Sequence, residues 1–78
     1  MTPEVLLTIW RHGEAAFAAR DADRELTEPG RDEVAVAAAA FTRWLTQSGL
    51  PQVEQLRHSP LTRTSQTAAI LRGVLRPM

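Results

Sequence analysis

Arg11, His12 and Gly13 follow directly on the apolar run Val5-Leu6-Leu7-Thr8-Ile9-Trp10. A cation, an imidazole and a glycine at the carboxyl end of a strand stand where open α/β sheets bind ligands. A second cation, Arg63, falls in the first turn of a predicted helix opened by Ser59-Pro60. A cation there faces the positive end of the helix dipole and is mildly unfavourable alone. A bound anion reverses that sign, because free N–H groups and the guanidinium then act together. Arg24 lies just before another predicted helix and can fold over the same edge. Three arginines around one imidazole favour its neutral, nucleophilic form. They also suit the equatorial oxygens of a transferring phosphoryl group. Phosphate chemistry is therefore the first expectation.

The elements that must bring these residues together can be read from spacing. Strand one covers about Val5 to Arg11, short, β-branched and aromatic. Gly13 to Glu25 reads as a mobile polar loop with room for one helical turn. Thr27 is a good N-cap, Glu28 suits the dipole, and Pro29 lies harmlessly in the first turn. Val34, Ala37, Ala38, Phe41, Trp44 and Leu45 then fall on one side at helical spacing, opposite Asp32, Ala39, Arg43 and Gln47. Gly49 and Pro51 end that helix.

Val53 to His58 alternates weakly and reads as strand two. Ser59 as N-cap and Pro60 at the first position open helix two. Ala68, Leu71 and Leu75 form its inner face, and Gly73 and Pro77 its end. The expected fold is α/β, a β-α-β-α portion of a doubly wound, mostly parallel sheet. A right-handed crossover would bring both strand ends to one edge. Two strands are fewer than a stable parallel sheet uses, so the chain reads as the truncated N-terminal part of one domain covering 1–78.

Composition excludes more than it selects. Seventy-eight residues, 44% of them hydrophobic, make one small globular domain. Nine arginines balance nine acidic residues, so no global field draws in nucleic acid or an anionic membrane. The absence of cysteine removes disulfides and thiolate metal sites. Two histidines without a tight carboxylate cluster give no metal-ligand spacing. No apolar run is long enough to cross a bilayer and no signal segment opens the chain, which makes the cytoplasm the expected compartment.

The residues also carry a resemblance. Arg11-His12-Gly13-Glu14, Arg24-Glu25-Leu26-Thr27 with Gly30, and Ser59-Pro60-Leu61-Thr62-Arg63-Thr64-Ser65-Gln66-Thr67 resemble the phosphoglycerate mutase-like histidine phosphatase superfamily. The arginine before Leu26-Thr27, separated from it by Glu25, is most similar to the SixA-type phosphohistidine phosphatases. The resemblance implies that His12 attacks phosphorus and is transiently phosphorylated, without metal or cofactor. It also implies that Arg11, Arg24 and Arg63, with Gly13, bind the phosphoryl group. The family carries a second active-site histidine in its C-terminal half, and no segment here matches it. The implied substrate is phosphohistidine in a protein. The alternatives are a small phosphate ester or, for a chain lacking turnover, phosphate binding alone.

Competing roles remain for several side chains. Arg24 sits among charges, where an ion pair with Asp21 or Asp23 competes with phosphate contact. Glu14 can act as an acid or orient the loop. His58 reads as structural or exposed rather than as the second histidine. Trp10, Phe41 and Trp44 read as core. Ser65 has no neighbouring base and no glycine-serine elbow.

Overall fold

The structure, a computed structural model, describes residues 7–76. Two helices dominate it: α1 over Glu28–Gln47 and α2 over Thr62–Leu75. A 3-10 turn at Asp21–Asp23 precedes them.

Helix α1 starts where its sequence predicts. The Thr27 hydroxyl accepts from Gly30 N at 3.0 Å, which satisfies one of the helix's free N-terminal donors. Its end is also as predicted, with Gly49 in the left-handed region at φ 68°. Val34, Ala38 and Leu45 are buried on the expected face, whereas Ala37 and Trp44 on the edge of that face are exposed.

Helix α2 begins later than Ser59-Pro60 suggests. Leu61 stays extended at φ −64° and ψ 145°, so the helix opens at Thr62 with no side-chain cap. The Ser59 hydroxyl meets the Thr64 hydroxyl at 2.7 Å, and Thr64 also donates to the Leu61 carbonyl at 2.8 Å. The turn before α2 is thus held by Thr64 and not by a serine cap. At the other end Gly73 lies inside the helix, and Arg76 takes the left-handed terminating conformation at φ 50°. Pro77 lies outside the described residues.

The two helices pack through Val34 and Ala38 of α1 against Leu71 and Leu75 of α2. Trp10, Phe41, Val53, Leu56, Ile70 and Val74 pack around that cluster. Trp10 meets Phe41 edge-on at 5.4 Å, and Phe41 stacks on Trp44 at 5.9 Å.

The expected α/β sheet is not formed. Among the described residues there is no strand, and one isolated antiparallel bridge joins Ala15 to Leu26. The Leu7–Arg11 part of predicted strand one, and Val53–His58, have no strand partner; Val5 and Leu6 lie outside the described residues. The physical reason is that no backbone hydrogen bond joins the two segments among the described residues. Both segments line a groove of about 1090 Å³, with Leu7, Trp10 and His12 on one segment and Val53, Leu56 and His58 on the other. A ladder needs neighbouring strands about 4.8 Å apart. Each segment has one covered side, against the helices. Leu7 and Ile9 accordingly stand 78% and 87% exposed, against the expectation of a buried strand.

Candidate functional site

The loop carrying His12 is pressed onto the start of α1 by two glycines. A Cβ on Gly13 would come within 2.8 Å of Val34 Cγ2 and 2.9 Å of the Gly30 carbonyl. A Cβ on Gly30 would collide with the Glu14 carbonyl. Hydrogen bonds then fix the approach. Thr27 N donates to the Glu14 carbonyl at 2.9 Å, and Ala16 N to the Glu25 carbonyl at 2.7 Å. The Glu14 carboxylate accepts from the Thr27 hydroxyl at 2.8 Å. That contact holds Glu14 beside the helix N-terminus, where the dipole favours negative charge.

His12 is half-buried, and its Nδ1 lies 2.7 Å from the Gly13 carbonyl oxygen. A carbonyl can only accept, so Nδ1 carries the proton in that contact. In the neutral ring the lone pair is then on Nε2. His12 lines the groove described above, and exposed His58 lines it too, with its own Nδ1 2.8 Å from the Ser59 carbonyl. Arg11, next to His12, is exposed.

Helix α2 holds both loops of the site. Gly13 N donates to Thr67 Oγ1 at 3.2 Å, and that hydroxyl donates in turn to the Arg63 carbonyl at 2.8 Å. Thr67 thereby joins the backbone bearing His12 to the turn bearing Arg63. One residue earlier, Gln66 Oε1 accepts from Leu26 N at 2.7 Å, and its Nε2 donates to Glu25 Oε1 at 3.2 Å. Gln66 fixes the segment that carries Arg24. Neither role was read from the sequence. The available signal was a polar Thr67 beside Ala68 on the inner face of α2, since a buried hydroxyl requires a partner.

The guanidiniums of Arg63 and Arg24 turn toward the 3-10 turn. Arg63 Nη1 donates to the Asp21 carbonyl at 2.9 Å and its Nη2 to Asp21 Oδ2 at 3.1 Å. Arg24 Nη1 is 3.5 Å from Asp21 Oδ1. Arg24 Nε and Nη2 donate to the carbonyls of Ala16 and Ala15 at 3.0 and 3.2 Å. Arg24 thus pairs with Asp21, whereas Asp23 pairs with Arg20 at 3.7 Å. The hydrogen bond from Arg63, with its charge and then that of Arg24, holds the Asp21 carboxyl below its usual 3.8. Arg63 Nε is buried with no partner among the described residues.

The structure thus brings the backbones of His12 and Arg63 within one side chain of each other. His12 lines the large groove, while Arg24 and Asp21 line a separate concavity of about 350 Å³ with Phe17. Among the described residues no group of three or more histidine, aspartate or glutamate side chains could hold a metal ion. No helix among them is long and apolar enough to cross a membrane.

The histidine phosphatase superfamily (branch 1) matches residues 7–77 of this chain. No curated protein matches it. A solved structure from Nakamurella multipartitia, named "Putative Phosphohistidine Phosphatase SixA", is 40% identical with a TM-score of 0.55. The similarity covers 81% of this chain and 33% of that one, so this chain spans about a third of the solved protein's length. Together with the Arg11-His12-Gly13 and Ser59-to-Thr67 segments, these matches assign the chain to the histidine phosphatase superfamily, branch 1.

Proposed function

We propose that this chain carries the nucleophile of a phosphatase that works through a phosphohistidine intermediate at His12, with phosphohistidine in a protein as substrate. One observation carries the reading: the His12 Nδ1–H is engaged by the Gly13 carbonyl at 2.7 Å, which leaves Nε2 as the attacking atom. Nε2 forms a bond to phosphorus as the phosphorus–nitrogen bond of the substrate breaks. The substrate imidazole leaves after taking up a proton. Water then attacks that phosphorus, the phosphorus–Nε2 bond breaks, and inorganic phosphate leaves with neutral His12 restored. Arg11, Arg24 and Arg63 bind the phosphoryl oxygens, on which negative charge is spread throughout the transfer. Gly13 lets the loop approach α1 closely enough to keep His12 in place. Glu14 orients that loop through Thr27. The SixA name of the Nakamurella multipartitia relative supports the substrate class.

A second reading, phosphate binding without turnover, is favoured by the engagement of Arg63 with Asp21, neither of which lines the groove that His12 lines. Rapid quenching after mixing the chain with a labelled phosphohistidine peptide separates the two. The first reading predicts acid-labile label on His12 that is absent from His12→Ala; the second predicts none. Sugar phosphates run in parallel decide between a protein substrate and a small ester, because each predicts a different preferred donor.

A further inference from the structure

Arg24 and Arg63 come from different parts of the chain and converge on one residue that is neither histidine nor glycine. Asp21 accepts from both terminal nitrogens of Arg63, through its carbonyl at 2.9 Å and Oδ2 at 3.1 Å. Its other carboxylate oxygen faces Arg24 Nη1 at 3.5 Å. The Asp21 side chain is 68% exposed, whereas that of Arg63 is 12% exposed. An exposed turn is therefore reaching over a nearly buried cation.

Two guanidiniums held close together repel until an anion arrives. A carboxylate between them offsets that repulsion and fixes both planes beforehand. Arg63 still has donors to give: its Nε–H, buried without a partner among the described residues, and a second hydrogen on each terminal nitrogen. Donors fixed in advance stabilise a phosphoryl group without rearrangement at the moment of transfer.

We propose that Asp21 is a positioning residue for the phosphoryl clamp, aligning Arg24 and Arg63 through one carboxylate and one carbonyl. The inference rests on the phosphoryl-binding role given to those arginines above. It makes a prediction opposite in sign to that of charge alone. Removing an acidic group beside an anion site strengthens anion binding by Coulomb attraction. Removing a residue that aligns the cations weakens it. Asp23 supplies the control, because it pairs with Arg20 at 3.7 Å and with neither clamp arginine. Asp23→Asn makes the same charge change two residues away.

The test titrates inorganic phosphate into the 78-residue chain near neutral pH and follows the His12 ring resonances by NMR. Asp21→Asn and Asp21→Ala are compared with Asp23→Asn and the unaltered chain, with backbone amide spectra confirming that each variant is folded. Phosphate binding is expected to weaken by about tenfold in Asp21→Asn, the scale of one charge-assisted hydrogen bond. Asp21→Ala weakens it at least as much, and Asp23→Asn binds as tightly as the unaltered chain or more tightly. If both Asp21 variants match Asp23→Asn, the positioning role is overturned and the phosphoryl-binding reading stands. If the unaltered chain shows no response to phosphate, both are overturned.

Discussion

The proton on His12 and the charge on Asp21 set the chemistry at the scale of single residues. Gly13 fixes one ring nitrogen as donor, and a nitrogen that donates cannot attack. Asp21 titrates below 3.8 because its charged form accepts from Arg63 and faces Arg24. A carboxyl whose folded value is depressed contributes stability above its unfolded value, lost as pH falls through the folded one. At neutral pH the tether is intact, and it opens only in acid below the ordinary carboxylate range. Carbon NMR of the Asp21 carboxyl should therefore give a midpoint below 3.8 that moves back toward it as salt is added, because this group is exposed to screening. A midpoint at or above 3.8 in low salt contradicts the pairing. Asp21 was legible in the sequence only as one possible partner of Arg24. Nothing in local spacing ties it to Arg63, 42 residues further on.

At the scale of elements, α2 holds the site together from its inner face. Thr67 spans the gap between the His12 loop and the Arg63 turn with one hydroxyl. Thr67→Val keeps the branched shape but strands the half-buried Gly13 N–H, an effect of about 1 kcal/mol, the low end for a donor left without a partner. Chemical denaturation should show that loss, and Thr67→Ser, which restores the hydroxyl, should recover most of it. Equal stability of the valine and serine variants would contradict the role of the hydroxyl. Helix α1 was legible to the residue because its signals are local: a capping threonine, an early proline and a terminal glycine. The start of α2 was not. Ser59-Pro60 carries the same local signals, but the Thr64 hydroxyl reaches back across the turn and the helix waits until Thr62.

The sheet is the part of the whole molecule that the sequence misrepresents. Leu7 to Trp10 and Val53 to Leu56 have strand-like composition, and Trp10, Val53 and Leu56 do pack on the helical core. A strand is a relation between segments, however, and composition describes only one segment at a time. Across the groove no backbone hydrogen bond joins 8–12 to 52–58 among the described residues. Hydrogen exchange should therefore find those amides nearly unprotected, with protection concentrated in α1 and α2. Protection of both segments equal to that of the helices would contradict the open groove. The family was legible all the same, because its motifs sit in the loops and first turns that the helices anchor.

The proposal stands or falls on His12 as the nucleophile that accepts the phosphoryl group on Nε2. The most direct measurement is rapid-quench capture of acid-labile phosphate after mixing the chain with a labelled phosphohistidine peptide. Label is expected on His12 of the unaltered chain and none on His12→Ala. A chain that binds the peptide but carries no label at any quench time, or one in which His12→Ala is labelled equally, contradicts it.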